Sequence, residues 1–283
     1  NFSCIMANVI KIKKGLDINL KGKASDVLLN GGKSESYAIV PDYYNGILPK
    51  VVAKVGEKVK AGSVLMIDKN RPEIKFVSPV SGEVTAVNRG EKRKVLSIVV
   101  KPDAQIEYEE FGKKNVASLQ GAEVKEVLLN AGMWPFIKQR PYDIVAAPLD
   151  TPRDIFVSAF YSAPLAPNFD FIVKGQEADF QTGLNALAKL TNGKVYVGVR
   201  SGSVVSGMKG VEIVEVEGPH PAANVGVQIN HIKPVNKGEV VWTVNPADVI
   251  VIGRLFNKGV ADFSRMVAIT GSETTERGYV KTI

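Results

Sequence analysis

Glycine-centred corners between short β-prone runs dominate residues 46–101. The corner at 55–62 has a glycine near each end and leads into the apolar run 64–67, which predicts a buried strand. A second corner at 78–82 precedes another β-prone run. Glycine is favoured where the backbone needs a positive φ or a close approach, so short runs joined by such corners fit a small, tightly turned β structure. The sequence therefore predicts short strands joined by tight turns in an N-terminal β domain over residues 9–101.

The segments VGEKVKAG (55–62) and SPVSGEV (78–84) resemble the two similar halves of the biotinyl/lipoyl carrier fold, a barrel-like sandwich. In carriers of this fold, the modified lysine stands at a hairpin tip in a DK or MKM context. Here the tip falls near Arg71, Lys69 lies short of it, and no MKM triplet occurs. The sequence favours a structural use of the sandwich, with an acyl or lipoyl carrier as an alternative.

Charge is distributed unevenly along the 283 residues, a length that indicates about two domains. Residues 1–101 contain 18 basic and 9 acidic side chains, a balance of +9, whereas residues 102–283 contain 18 and 20, a balance of −2. A basic N-terminal domain could face an acidic partner or an anionic membrane surface, although a solvated lysine-rich face is the simpler interpretation. The basic residues are scattered singly without an RNP-type or zinc-finger pattern, so nucleic-acid binding is not expected.

The cysteine and histidine content excludes several classes of site. Cys4 is the single cysteine, so neither an internal disulfide nor an iron–sulfur site is expected in this chain. The two histidines have no metal-ligand spacing, so no metal is expected. No apolar run approaches the roughly 20 residues of a membrane span and no secretory signal occurs, which predicts a soluble, cytoplasmic chain. MANVI at 6–10 looks like a natural start, so residues 1–8 are interpreted as a leader, with 1–5 upstream of that start.

The hydrophobic periodicity changes after the acidic segment 102–118, which is interpreted as a linker. Helices are predicted at 124–131, 180–190 and 246–257, and strands at 155–157, 194–199 and 211–216. Gly259 is expected to cap the last of these helices. This alternation predicts an α/β domain with a largely parallel sheet over residues 119–260. Residues 261–283 predict a strand, a turn and the start of another strand, as if a third domain began there and were cut short.

Four markers together resemble one known family. They are IKIKKGLD at 10–17, the two corner motifs closed by NRGEKR at 88–93, GMW at 132–134 with RPY at 140–142, and EGPHPA at 217–222 followed by KPVN at 233–236. The first marker also alternates apolar and basic residues and predicts a strand entering the N-terminal domain. With these markers the chain is similar to the A-subunit family of the bacterial sodium-translocating NADH:quinone oxidoreductase. That family is related to the C subunit of the Rnf complex and to the flavin-binding subunit of respiratory complex I.

The resemblance implies a biotinyl/lipoyl-like barrel-sandwich domain, a Rossmann-like α/β domain related to the FMN-binding domain of complex I, and the first strands of a β-grasp domain at 261–283. It implies a peripheral protein, with no independent catalytic activity, at the cytoplasmic face of the bacterial inner membrane. The complex couples NADH oxidation and quinone reduction to Na⁺ export; its other subunits are the expected partners and hold the FAD, FMN and iron–sulfur groups. No cofactor is expected in this chain. The alternative is a free-standing flavin- or nucleotide-binding enzyme.

Flavin-binding relatives place a glycine-rich GGAGF loop after a helix, so that backbone can approach the flavin. The matching segment here, AGMWPFIK at 131–138, keeps one glycine of that set. The acidic strand end of the relatives corresponds to VSAFYSAP at 157–164, which has no carboxylates. Bulky side chains are therefore expected to fill the flavin cleft, leaving a nucleotide-binding shell without its redox site.

Two groups of residues are candidate binding sites, and no catalytic residue is predicted. The first group, a possible quinone-proximal site, is Trp134, Phe136, Lys138 and Arg140. It combines aromatic rings with cations, as a quinone pocket requires, although core or interface packing is the simpler role for the two aromatics. The second is a possible anion-binding loop with Gly218 and His220, between a strand and a probable helix, although a rigid proline-flanked turn is the simpler interpretation.

Overall fold

The computed structural model describes residues 8–283, and its N-terminal part is a sandwich of two antiparallel sheets. The first eight strands are β1 (Asn8–Lys11), β2 (Tyr37–Ile39), β3 (Pro49–Val51), β4 (Lys58–Val59), β5 (Val64–Asp68), β6 (Lys75–Val77), β7 (Gly82–Arg89) and β8 (Val95–Pro102). One sheet has the order β2-β8-β7-β4 and the other β3-β5-β6. The predicted leader, residues 1–8, lies outside the described residues except for Asn8.

Glycine at the corners allows the sandwich to close tightly. Gly62 has a φ of 105°, and a Cβ added to it would lie 3.1 Å from the ring of Phe111. Strand β5 then runs into the interior, where Leu65 and Met66 are fully buried. The predicted corner and buried strand are thus confirmed, and glycine is required because the position combines a positive φ with a close approach.

The hairpin tip between β5 and β6 is docked onto the rest of the chain. Arg71 donates from Nη1 to the carbonyl oxygen of Val145 at 3.1 Å and from Nη2 to that of Gly46 at 2.8 Å. Its Nε also pairs with Asp68, whose side chain is 1% exposed, at 2.7 Å. A carrier needs this tip free to swing, so these contacts support the structural use of the sandwich.

A seven-stranded sheet with helices forms the second part of the molecule. Its strands are β9 (Ile137–Arg140), β10 (Ile144–Val145), β11 (Ile155–Ser158), β12 (Val195–Val199), β13 (Glu212–Glu217) and β14 (Val241–Val244), together with β1. Its helices are α1 (Gly121–Asn130), α2 (Phe169–Val173), α3 (Glu177–Ala188), α4 (Val225–Ile232) and α5 (Pro246–Lys258). The sheet order is β1-β13-β12-β11-β14-β9-β10. The first five strands are mutually parallel, and the pairings of β9 with β14 and with β10 are antiparallel. The predicted, largely parallel α/β domain is confirmed.

The N-terminal strand β1 corrects one prediction from sequence. Instead of entering the N-terminal sandwich, it pairs in parallel with β13, matching Val9 to Glu215 and Lys11 to Glu217. The backbone continues this contact, because the Ile12 amide donates to the Glu217 carbonyl at 2.9 Å. An uncovered β13 edge would leave a row of backbone groups unpaired, so pairing satisfies both segments.

The ends of helix α5 match the sequence signals closely. Asn245 accepts a hydrogen bond from the Ala247 amide at 3.0 Å, Pro246 occupies the first turn, and Gly259 takes the left-handed conformation with φ 78°. Helix α5 packs against α3 under the sheet, and its residues from Val249 to Phe256 are buried. The predicted start and cap of this helix are confirmed.

One continuous apolar core joins the two parts. Leu65 and Phe76 of the sandwich belong to the same buried cluster as Val124 and Trp134 of the α/β part. The predicted linker 102–118 is held between them. The last two strands, β15 (Arg265–Ile269) and β16 (Gly278–Thr282), form an antiparallel hairpin packed on this core through Tyr279, which is 1% exposed.

Candidate functional site

A cavity of about 900 Å³ opens where the strand order of the α/β sheet reverses. The chain leaves β11 for β12 on one side, whereas the connection from β13 crosses back to place β14 on the other side of β11. In open α/β sheets, ligands bind in the crevice outside the carboxyl ends of the strands at such a switch point. Ser158 and Tyr161, at and after the end of β11, and Val244, at the end of β14, line this cavity. We call it the switch-point cavity.

Two helices begin at the wall of the switch-point cavity. Val225 starts α4 and Pro246 starts α5, and both residues line the cavity together with the N-cap residues Asn224 and Asn245. The first amides of a helix and its dipole create a positive potential at this end. The cavity is therefore suited to ligands with electron-rich or anionic groups.

Strand β9 directs two cations into the cavity. Residues alternate across a strand, so Lys138 and Arg140 face the cavity, whereas Ile137 is buried on the opposite face and Gln139 bonds there to Trp242 Nε1 at 3.2 Å. Burial lowers the pKa of Lys138, whose Nζ lies 5.4 Å from the centre of the Tyr44 ring. These two donors stand on a rigid strand beside open space.

The guanidinium of Arg140 has unused hydrogen-bonding capacity. Its Nε is buried without a hydrogen-bond partner among the residues that the structure describes. Asp143 Oδ1 lies 3.4 Å away, close enough for an ion pair but not aligned as an acceptor. Buried donors are costly when unsatisfied, so an acceptor from a ligand would be stabilised here.

A carboxylate and a third cation lie on the α5 side of the cavity. Asp248, in the first turn of α5, has a side chain that is 14% exposed and lies 3.1 Å from Nη2 of Arg265 on β15. Burial raises the pKa of Asp248, and the charge of Arg265 opposes this shift. Asp248 Oδ1 has no aligned donor among the described residues. The Arg265 guanidinium also lies 5.8 Å from the centre of the Phe136 ring.

Aromatic rings from three segments complete the walls. Tyr43 and Tyr44 come from the N-terminal sandwich, Phe136 from a 3-10 turn before β9, and Phe160 and Tyr161 from the segment after β11. Burial raises the pKa of Tyr161 to about 12, with the charge of a nearby carboxylate adding to the effect. A mostly apolar cavity with a few convergent polar groups and shifted pKa values is the usual form of a small-molecule site.

The structure brings three of the four predicted quinone-proximal residues together. Phe136, Lys138 and Arg140 line the switch-point cavity. Trp134 does not, because it is fully buried, donates from Nε1 to the Ala146 carbonyl at 2.8 Å, and packs edge-on against Trp242 at 5.4 Å between ring centres. Core packing is the role that the structure shows for Trp134.

The segment that corresponds to the flavin loop of the relatives is divided between the core and the cavity: Pro135, Phe136 and Lys138 line the cavity, and the residues before them do not. Met133 and Trp134 are fully buried, and a Cβ added to Gly132, which has a φ of 68°, would lie 2.6 Å from Val77 of the sandwich. The expectation that bulky side chains of this segment fill the cleft is therefore wrong for Met133 and Trp134. They fill the junction between the two domains, where apolar burial is favourable, and the cavity stays open.

The predicted anion-binding loop lies elsewhere, against the N-terminal segment. The His220 amide donates to the Asp17 carboxylate at 2.7 Å, and the Gly218 carbonyl accepts from Arg200 at 2.8 Å. His220 Nδ1 lies 3.0 Å from Ser162 Oγ. The anion that meets this loop is thus a carboxylate of the chain itself.

Among the cavity residues that were not predicted as site residues, four bring an aromatic ring or a charge from distant segments: Tyr43, Tyr44, Asp248 and Arg265. They come from three separate parts of the chain, so no local spacing connects them. For Asp248 alone a local signal was present. The run VVWTV at 240–244 is β-prone, and recognising it as a strand would have placed the start of α5, which contains Asp248, at the end of that strand.

The described residues contain no group of three or more His, Cys, Asp or Glu side chains placed to hold a metal ion. No helix between residues 8 and 283 combines the length and apolar character needed to cross a membrane.

The fold and the cavity define a class: a barrel-sandwich domain joined to an α/β domain that has a small-molecule cavity at its switch point. Family models match the chain in two segments, the NqrA N-terminal barrel-sandwich hybrid domain over residues 10–103 and the NqrA second alpha/beta domain over residues 119–261. The chain belongs to the NqrA family.

Several similar curated proteins are named as the A subunit of Na(+)-translocating NADH-quinone reductase. The relative from Hahella chejuensis is 38% identical over 279 residues, and those from Neisseria meningitidis serogroup A and Photorhabdus laumondii are 36% identical over 279 and 278 residues. Each alignment covers 97% of this chain and 62% of the relative. The chain therefore spans less than two thirds of the length of these relatives.

Proposed function

We propose that this chain serves as the A subunit of a Na⁺-translocating NADH:quinone reductase, and that its switch-point cavity binds the quinone headgroup. The family and the names of the relatives support the first part. The protein would sit at the cytoplasmic face of the membrane through its partner subunits, which would supply the flavin and iron–sulfur chemistry. Its own role is docking and quinone positioning, without catalysis by its own side chains.

The observation that supports quinone binding is that aromatic rings and side-chain hydrogen-bond donors line the same cavity. A quinone ring is flat and apolar on its faces, and its two carbonyl oxygens accept hydrogen bonds. Phe136 and Tyr44 offer ring surfaces, and Lys138 and Arg140 offer donors on the same strand face. The cavity volume of about 900 Å³ lies within the range of about 300–1,000 Å³ typical of small-molecule sites.

Photo-crosslinking in the intact complex tests this proposal. A quinone analogue with a photoreactive ring is expected to label the peptide that contains Phe136 and Lys138. Lys138→Met should reduce labelling by about tenfold, because a charge-assisted hydrogen bond is lost. Lys237→Met, at an exposed lysine outside the cavity lining, is the matched control and should leave labelling unchanged. Labelling confined to other subunits, or unaffected by Lys138→Met, contradicts the proposal.

A free-standing flavin- or nucleotide-binding enzyme is the second candidate. The two helix N-termini at the switch point favour it, because nucleotide phosphates bind at such positions. The purified full-length protein distinguishes the two: a stoichiometric flavin absorbance spectrum would favour the enzyme, and a colourless protein that binds quinone would favour the positioning role.

Docking through the basic N-terminal domain has its own test. Lys92 and Arg93 form the exposed turn between β7 and β8, whereas the neighbouring Lys94 is paired with Asp42 at 2.6 Å. Charge reversal of Lys92 and Arg93 together should weaken co-purification with the other subunits if this face docks. Unchanged assembly would count against a basic-face contact.

A further inference from the structure

A second cavity, of about 430 Å³, lies where the sandwich, the α/β domain and the C-terminal hairpin meet. We call it the interdomain cavity. Its lining includes Ile39 on β2, Phe76 and Val77 on β6, and Phe263 before β15. Among the described residues that line it, Arg265 alone has a charged side chain. A cavity lined mainly by apolar and aromatic side chains favours apolar occupants.

The two cavities share one wall. Tyr43, Tyr44, Phe136 and Arg265 line both of them. In this wall Tyr44 packs edge-on against Phe76 at 4.7 Å and Phe136 against Phe263 at 6.0 Å, measured between ring centres. Both contacts join side chains, so rotamer changes of Tyr44 and Phe136 are the movement that would connect the two compartments.

Three of the four charged side chains of the switch-point cavity lie on one side of this wall, and the fourth, Arg265, belongs to the wall itself. Lys138, Arg140 and Asp248 line the switch-point cavity and do not line the interdomain cavity. Residues 37–39, Phe76, Val77 and Pro79 line the interdomain cavity and do not line the switch-point cavity. A polar compartment beside an apolar one matches a ligand that has a polar ring at one end and a hydrocarbon chain at the other.

We propose that the interdomain cavity receives the first isoprenoid units of a quinone tail whose headgroup lies in the switch-point cavity, with the tail passing between Tyr44 and Phe136. This inference rests on the proposed quinone function and adds that the protein also recognises the isoprenoid tail of the quinone. Each buried methylene favours binding, so tail length sets affinity. Ile39 and Phe263 then determine how much tail the site accepts.

Binding of short-tailed quinones to the full-length protein tests the inference. Quinones with the same ring and zero, one or two isoprenoid units are titrated, and their affinities are read from quenching of Trp134 and Trp242 fluorescence. In the unmodified protein the quinone with two units should bind at least about tenfold more tightly than the tailless one, because its hydrocarbon is buried. Ile39→Phe fills the cavity and should reduce this ratio to within about threefold while leaving the tailless affinity unchanged.

Two further variants complete the design. Leu96→Phe, at an exposed leucine of the same domain, is the control and should keep the full ratio. Phe263→Ala enlarges the cavity and should shift the best fit toward the longer tail, which tests the inference even if Ile39→Phe does not fold.

The outcomes separate the two proposals. If the tailless quinone binds and is weakened by Lys138→Met, but tail length has no effect or the tail effect survives Ile39→Phe, the tail inference is overturned and the headgroup site stands. If no quinone binds at all, the proposed quinone function fails, and the tail inference fails with it.

Discussion

The segment 134–140 and the loop 217–222 look alike in sequence: each combines proline, at least one aromatic side chain and a strand boundary. In the structure the two segments differ in whether their hydrogen-bonding groups are satisfied and in whether they face open space. Arg140 at the first keeps a buried donor without a partner among the described residues and faces a cavity, whereas the His220 amide and the Gly218 carbonyl at the second are met by Asp17 and Arg200. Open space and unused hydrogen-bonding capacity separate a candidate site from a turn held by its own chain.

The largest effect is expected at Trp134, which belongs to the first segment in sequence but to the core in structure. Trp134→Ala should lower the free energy of unfolding by about 3–5 kcal/mol, because a fully buried indole is replaced by a cavity. Chemical denaturation measures this loss. If the alanine variant does not fold, Trp134→Phe, which removes the hydrogen bond to Ala146 and part of the ring volume, should cost about 1–3 kcal/mol. A loss near zero in both would contradict the core assignment.

The next largest effect concerns the pH dependence of stability, in which the carboxylates of Asp262 and Asp248 should differ because their surroundings differ. Burial raises the pKa of Asp262, but hydrogen bonds from Ser264 and the charge of Arg254 outweigh it and lower the pKa to about 2 from 3.8. A carboxyl group whose pKa is lower in the folded state than in the unfolded state stabilises the fold at pH values above its unfolded-state pKa. This stabilisation is lost as the pH falls through the folded-state pKa. Asp262 should therefore contribute about 2 kcal/mol at neutral pH that disappears between about pH 4 and pH 2. Denaturation of Asp262→Asn across this window should show a shallower slope than the parent protein.

Asp248 should show the opposite sign, because burial raises its pKa in the folded state. The contribution of Asp248 to the free energy of unfolding is fully present at pH values below its unfolded-state pKa. This contribution is lost as the pH rises through its folded-state pKa. Asp248→Asn should therefore gain stability relative to the parent as pH increases from 4 to 7. No change over that range would mean that Arg265 fully compensates the cost of burying the charge, and a relative loss would mean that Arg265 more than compensates it.

Lys138→Met should weaken quinone binding by about tenfold, a free-energy change of about 1.4 kcal/mol, while leaving the free energy of unfolding unchanged or slightly higher. The asymmetry follows because burial disfavours the lysine charge, as its lowered pKa indicates, so removing it costs the fold little. Parallel titration and denaturation measure the two quantities. Loss of stability equal to the loss of binding would make Lys138 a structural residue.

The smallest effect is expected at the closed loop. Asp17→Ala should lower the free energy of unfolding by about 1 kcal/mol, because the His220 amide loses its acceptor, and quinone affinity should not change. Asp17→Asn keeps an acceptor oxygen and should restore most of the stability. Weaker quinone binding in Asp17→Ala would show that the two regions are coupled.

Local signals predicted the elements well. The Asn245–Pro246 start and the Gly259 end of α5, the corner at Gly62 and the alternation of β13 depend on neighbouring residues, and the structure confirms them. The placement of β1 was missed because its alternation defines a strand without naming its partner, and β13 lies about 200 residues away in sequence.

The site was predicted in part for the same reason. Phe136, Lys138 and Arg140 are close in sequence, and their chemistry suggested a ligand. Tyr44 and Arg265 reach the cavity from other domains, and no pattern in the sequence records a contact over such separations. Trp134 lies in the 3-10 turn that precedes β9, and its burial follows from packing against Trp242 of β14, a contact between residues that are far apart in the sequence.

The structure of the full-length protein with a bound short-tailed quinone tests the central claim most directly. The account predicts a ring beside Phe136 with a carbonyl oxygen within hydrogen-bonding distance of Lys138 or Arg140, and an unchanged Asp17–His220 contact. A quinone bound at the 217–222 loop, or a flavin ring in the switch-point cavity, would contradict it.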